Sequence, residues 1–167
     1  QRDMVGRIRS AGQSLLAILD DVLDLSKIEA GQLRLEPRPF ELAVLLANVD
    51  SLMGQVAHGK GLALRIAPPA LPPGLWRGDG LRSEPILINL VGNAIKFTER
   101  GEVVVNVSWQ ENRIERNMLQ FSIRDTGIGI PAERLEHIFD AFTQADNSIT
   151  RKYGGTGLGL SITRRLV

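Results

Sequence analysis

Apolar residues recur at helical spacing from residue 4 to about residue 30. Val5, Ile8, Leu15, Leu19 and Val22 fall at steps of three, four or seven, and Leu16, Leu23, Leu25 and Ile28 widen the stripe. The stripe is wider than a two-stranded coiled-coil seam and suits a helical bundle. Gly31 follows the last periodic residue and makes a good C-terminal stop. Two readings fit: a helix packed on its own domain, or a dimer-forming helix whose partners lie elsewhere. The length of the helix favours the second. Pro37 and Pro39 then break the pattern. A second helix is expected over 41–58, with Leu42, Leu45, Leu46, Val49, Leu52, Met53 and Val56 as its apolar side and Gly59-Lys60-Gly61 as its end.

Residues 62–67 alternate like a strand, and 68–74 form a proline-rich connection. A third helix is expected over 83–98. Proline is tolerated only in a first turn, so Pro85 places the start near Ser83, which could cap it. Residues 102–109 and 119–124 read as strands joined by a polar loop, 110–117. Short helical stretches follow over 132–138 and from about 156 to the end. Helices and strands mix around one antiparallel or mixed sheet, an α+β layout.

Composition narrows this picture without redirecting it. The 167 residues suffice for one ordinary domain and an extra element. No long apolar run reads as a membrane span, and residues 1–9 lack a signal-peptide pattern. The absence of cysteine rules out disulfides and thiolate metal sites and fits a reducing cytoplasm. A net charge of +1 points to neither nucleic acid nor membrane as a partner. Helical patterns run at both ends, which reads as a fragment of a longer protein.

Three segments carry candidate chemistry. The third helix is apolar almost all round, yet Asn89, Asn93 and Lys96 form one polar stripe at steps of four and three. Either the stripe is a solvated edge, or it meets a phosphate–metal assembly. In the second case an amide oxygen would join a magnesium shell and the ammonium would meet phosphate oxygens. In the second segment Leu119, Phe121 and Ile123 alternate, so Asp125 falls at a strand end beside Gly127 and Gly129. A carboxylate there can accept a hydrogen bond from an exocyclic amine such as that of adenine, although Asp-Thr-Gly is also an ordinary turn. Residues 127–132 also satisfy the dinucleotide fingerprint, but the second strand it requires would fall in the polar run 144–151, so that reading is set aside. The Walker pattern is absent. In the third segment, Gly154, Gly155, Gly157 and Gly159 lead into an apolar helix behind Arg151 and Lys152. Their backbone N–H groups can point at anionic oxygens, and a flexible linker is the poorer reading because Leu158 and Leu160 are not linker residues.

In this order the segments resemble the ATP-binding catalytic domain of sensor histidine kinases, within the ATPase superfamily of gyrase, Hsp90 and MutL. Residues 89–98 (Asn-Leu-Val-Gly-Asn-Ala-Ile-Lys-Phe-Thr) resemble the N box, 125–129 the G1 box, 139–142 (Phe-Asp-Ala-Phe) the F box, and 155–159 the G2 box. Residues 21–35 resemble the second helix of the dimerisation and phosphotransfer domain of hybrid-type kinases. The resemblance implies a two-layer α/β sandwich, a mixed sheet covered by helices, preceded by one long bundle-forming helix. Residues 1–31 would be that helix, 32–40 a connector, and 41–167 the catalytic domain, truncated before its closing strands.

It also implies ATP and magnesium as cofactors, with roles at matching positions. Asn93 would ligate magnesium with Asn89 beside it, and Lys96 would contact phosphate with Phe97 next to it. Asp125 would read the adenine amine, with Gly127, Gly129 and Ile130 close to the base. Gly155, Thr156, Gly157, Leu158 and Gly159 would line the phosphate side. Phe142 through Tyr153 would form a lid from which Arg151 or Lys152 reaches the γ-phosphate, and the polar run 143–150 suits a lid by itself.

The implied function is a protein-histidine kinase fragment that donates the γ-phosphoryl group to a histidine on a phosphotransfer helix outside it. A response-regulator receiver would act downstream. The parent would be a homodimer, with this fragment cytoplasmic and touching neither membrane nor nucleic acid, whether or not the parent is anchored in the inner membrane. The hydrolytic members are expected to carry a glutamate base where this chain has Asn89, so the Asn argues for transfer over hydrolysis. The alternatives are a non-catalytic nucleotide-binding and dimerisation module of a degenerate kinase, and a hydrolytic ATPase. Neither His58 nor His137 stands in an H-box pattern, so the acceptor is expected outside this sequence and the fragment should not autophosphorylate alone. Pro85 stands where the family usually has Gln, and Ala141 where its F box often has proline.

Overall fold

The computed structural model describes residues 2–67, 74–110, 118–141 and 157–167. The chain forms two compact units, one of Glu36–Pro131 and one of Gln1–Leu35 with Ala132–Val167.

In the first unit the pattern of apolar residues decides which faces meet. Strand β1 (Arg38–Glu41) leads straight into helix α2 (Leu42–Gly59). Leu42, Leu45, Leu46 and Val49 of α2 are buried, as i, i+3, i+4 spacing requires of one helix face. Leu52 and Val56, counted with that face in the sequence, stay exposed, and Ala57 is buried in their place. Strands β2 (Ala63–Ile66) and β3 (Leu75–Gly78) precede helix α3 (Gly80–Phe97), and β4 (Glu102–Gln110) and β5 (Met118–Asp125) follow. The sheet is mixed, in the order β2-β4-β5, with β2 parallel and β5 antiparallel to β4. A second sheet pairs β1 with β3. β4 is the central strand, and its alternate residues Val103, Val105 and Val107 are buried. They pack with Leu87, Val91, Ala94 and Ile95 of α3 and with the buried face of α2 into one core.

Three boundaries differ from expectation. β1 falls at the end of the connector, where Pro39 masks the strand pattern, and β3 lies between the proline-rich run and α3, where no element was expected. α3 begins at Gly80 and not at Ser83, because Asp79 caps it: its carboxylate accepts from the Arg82 N–H at 3.1 Å. Ser83 instead donates its hydroxyl to the Asp79 carbonyl, and Pro85 sits inside the helix, past its first turn. Residues 132–138 hold only a 3-10 turn, Ala132–Arg134, followed by hydrogen-bonded turns.

The second unit contains helix α1 (Arg2–Glu29) and a short helix α4 (Gly159–Leu166). Leu25 and Ile28 of α1 pack with Leu158, Ile162 and Leu166, and Arg165 pairs with Glu29 at 3.7 Å. Burial differs along α1. Its C-terminal end is covered within its own unit, while Met4, Val5, Leu15, Leu16, Leu19, Val22 and Leu23 are exposed. Among the described residues no helix is long and apolar enough to cross a membrane.

Ile95 is one of the largest fully enclosed side chains and is shared by α3 and the sheet. Ile95→Ala should cost about 3 kcal/mol of unfolding free energy. A lowered urea midpoint at unchanged slope would show it; a loss under about 1 kcal/mol would mean that the core closes around the gap.

Candidate nucleotide site

The polar stripe of α3 lies between its two extremes. Leu87, Val91, Ala94 and Ile95 commit one side of the helix to the core, and Asn89, Asn93 and Lys96 are left half-buried. Asn93 donates from Nδ2 to Asn89 Oδ1 at 3.4 Å, one helical turn away. That contact uses the Asn93 amide nitrogen and leaves its carbonyl oxygen out of the pair. An amide oxygen so placed suits a hard divalent cation, which takes oxygen ligands. Among the described residues no cluster of three or more His, Asp or Glu side chains could hold a metal, so a cation here would depend on amide and phosphate oxygens.

Lys96 lies one turn further on. Its Nζ stands 5.0 Å from the centroid of the Phe97 ring, and burial pushes its pKa below the ordinary value of 10.5. An ammonium held partly out of water has lost some hydration, so an anionic ligand recovers more by pairing with it than with a fully solvated lysine.

The Asp125 turn is built against the end of the same helix. Asp125 pairs with Val103 at the end of β5, and its Oδ1 accepts the Gly127 N–H at 2.9 Å. The other carboxylate oxygen takes no hydrogen bond from a described residue, and the side chain is exposed. The Ile128 N–H donates to the Phe97 carbonyl at 3.3 Å, which docks the turn on α3. Gly127 is required by this closeness: a Cβ there would lie 2.5 Å from Phe97 O. Gly129 is required by conformation, with φ +70° and open space around it. Ile128 and Ile130 are exposed beside it.

Thr126 was not singled out in the sequence. Its hydroxyl accepts the Glu102 N–H at 3.1 Å and lies 3.3 Å from the Arg100 carbonyl. It thereby ties the turn to the start of β4, where a Cβ on Gly101 would meet Thr126 Oγ1. Thr98 was missed as well. It is fully buried and donates its hydroxyl to Ala94 O at 2.8 Å, closing the helix. A threonine as the last residue of the expected helix is the only signal that marks it, and the helix in fact ends at Phe97 with Thr98 as its cap.

The glycine-rich segment is described from Gly157. Gly157 has φ +71°, Leu158 is 1% exposed, and Gly159 opens α4. Leu158 is thus an anchor of the second unit, as its apolar character required. Phe142, Arg151, Lys152, Tyr153, Gly155 and Thr156 lie outside the described residues.

Comparison with known proteins decides the family. Residues 78–167 match the family model described as histidine kinase-, DNA gyrase B- and HSP90-like ATPase. The chain belongs to this ATPase family. It is 47% identical over its whole length to the signal transduction histidine-protein kinase BarA of Escherichia coli K12, of which it covers 18%. It is 44% identical to hybrid signal transduction histidine kinase A of Dictyostelium discoideum, covering all of this chain and 8% of that one. The crystal structure of full-length ShkA in complex with AMPPNP superposes on 99% of the chain with TM-score 0.80 at 37% identity, and the match covers 33% of that protein. The fold is therefore that of the histidine kinase and Hsp90-like ATPases, and the chain spans about a fifth of the BarA length. The sensor-kinase resemblance of the four motifs is borne out at family level.

The two glycines separate the two demands made on the turn. Gly127→Ala should cost about 2–3 kcal/mol, because the methyl meets backbone that cannot yield. Gly129→Ala, strained but unobstructed, should cost about 1 kcal/mol. Urea denaturation of both variants checks the order, and a reversed order would contradict the docking of the turn on Phe97.

Proposed function

We propose that this ATPase-family chain binds ATP with magnesium and donates the γ-phosphoryl group to a histidine on a phosphotransfer helix outside these residues, within a two-component sensor histidine kinase. The observation that supports it most is the joining of the α3 stripe and the Asp125 turn through one helix end, Phe97 O with Gly127 and Ile128. A phosphate-suited group and an adenine-suited group thus share one rigid base. AMPPNP bound to ShkA, a structural relative at 37% identity, supports the same ligand class.

In this reading Asp125 accepts the adenine amine, and Gly127, Gly129 and Ile130 lie beside the base. Lys96 meets phosphate oxygens, with Phe97 behind it. Asn93 offers its amide oxygen to magnesium, oriented by Asn89. Magnesium, when bound, supplies neutralisation of phosphate charge. The glycine-rich segment 154–159 and the basic pair Arg151 and Lys152 are proposed for the same nucleotide on their pattern, with residues 142–153 as a lid. The domain division at 31 and 41 is proposed with it, as are a homodimeric parent and a receiver partner. Asn89 in place of a glutamate base, and no carboxylate in the stripe, favour transfer over hydrolysis. The rival, a nucleotide-binding module without transfer, keeps every binding role and loses only the last step.

Saturating Mg-ATP should raise the melting temperature, since binding to the folded state alone stabilises it by about 2.7 kcal/mol at a hundredfold excess over Kd. Asn93→Ala should abolish the magnesium-dependent part of the shift. No shift for the wild-type chain at millimolar nucleotide would end the proposal. With a phosphotransfer helix pair carrying the acceptor, label from γ-labelled ATP should reach that histidine. Tight binding without label transfer would favour the rival.

The lowered pKa of Lys96 gives a second check with two signs. The ammonium is charged below that pKa, so nucleotide affinity should fall as pH rises through it, earlier than for an ordinary lysine. In the free chain the unfolded state holds more protons over the same range, so this group's contribution to stability rises with pH. Lys96→Arg should move the loss of affinity to higher pH in a titration of ATP binding. An unchanged profile would remove Lys96 from the phosphate contacts.

A further inference from the structure

The last turn of a helix leaves four carbonyl groups without helical donors. At the end of α3 each has a donor, and the donors come from three parts of the unit. Ala94 O accepts from the backbone and hydroxyl of Thr98. Phe97 O accepts from Ile128 of the Asp125 turn. Ile95 O and Lys96 O are both taken by one group, the Lys60 ammonium, at 2.7 Å each.

Lys60 reaches this point from the end of α2. It is the C-terminal cap of that helix, its own N–H bonded to Val56 O and Ala57 O, and Gly61 at φ +74° turns the chain into β2. Its stem is half-buried and its head is bound by two carbonyls of another helix. A cation at a helix C-terminus is also favoured by the helix dipole, and a charge-assisted hydrogen bond is stronger than a neutral one.

We infer that Lys60 is a positioning residue for the nucleotide site. Resting on the ATP reading above, it acts through the final turn of α3. It fixes Ile95 and Lys96 at their carbonyls, and so fixes the backbone that carries the Lys96 ammonium and presents Phe97 O to the turn of Asp125, Gly127 and Ile128. Without it two carbonyls lose their donor, the last turn frays, and the phosphate side and the adenine side of the site lose their common base. Lys60 itself touches no ligand in this role.

Amide hydrogen exchange of the nucleotide-free 167-residue chain tests the clamp directly. In Lys60→Met, exchange at Thr98 and Ile128, whose N–H groups close this helix end, should rise about tenfold or more, while Val49 and Val91 in the core keep their wild-type rates. Lys60→Arg, which can still donate to both carbonyls, should restore protection. Binding of a fluorescent ATP analogue should weaken about tenfold in Lys60→Met and recover in Lys60→Arg. Combining Lys60→Met with Lys96→Met should cost less than the sum of the two single losses, because the first acts through the second. Unchanged exchange at Thr98 and Ile128 overturns the inference, as does an equal rise at Val49 and Val91, which would make Lys60 a general support of the fold. Strict additivity with Lys96→Met also overturns it. A wild-type chain that binds no analogue sinks the nucleotide reading instead, and the exchange rates then decide the clamp alone.

Discussion

The closure of one helix end organises this domain. A helix C-terminus concentrates unpaired carbonyls and partial negative charge, and left bare inside a protein it is unfavourable. Here the donors that satisfy it come from the turn after α2, from Thr98, and from the turn after β5. Segments distant in sequence are thus forced to one point, and that point stands directly under Lys96 and beside Asp125. The core buried by α2, α3 and β4 holds the layers together, but it is the closure of the helix that aligns the chemistry.

This arrangement explains why the site tolerates exposed functional groups. Asp125 and Ile130 face solvent and Asn93 is half-buried, so packing restricts them little. Their backbone is restricted instead. Gly127 lies so close to Phe97 O that no side chain fits between, and Thr126 binds the start of β4 on the other side. Rigidity is placed in the main chain, where it limits the geometry of a ligand contact, while the side chains stay open to a ligand.

Much of this was legible in the sequence. Periodicity found α1, α2 and α3 and strands β2, β4 and β5, and the polar stripe on an apolar helix found Asn89, Asn93 and Lys96. Two kinds of feature stayed hidden. β1 and β3 are four residues each, too short to show alternation, and β1 also contains Pro39. The true start of α3 was hidden because Asp79 competes with Ser83 for the cap, and only the fold shows that Asp79 also accepts from Glu36 N–H at 3.1 Å and is thereby held in place. Long-range donors such as Lys60 and Thr126 leave no periodic trace, since a lysine between glycines reads as a helix end whatever its ammonium reaches. What pattern reports is which face is buried, whereas what it omits is which carbonyl a side chain finds.

The stripe itself carries a further constraint on chemistry. Two neutral amides and one cation give it a net positive charge, and the cation is already depressed in pKa by burial. A glutamate at position 89 would place a carboxylate one turn from Asn93 and two turns from Lys96, and would bring the net charge of the stripe to zero. It would also take the Asn93 Nδ2 hydrogen bond, in a site proposed for a polyanion. With Asn89 the same hydrogen bond is made by a neutral acceptor, and the stripe keeps its net positive charge for the proposed phosphates. A site so composed suits holding a triphosphate for an external nucleophile better than activating water, and that is the physical content of the phosphoryl-transfer proposal.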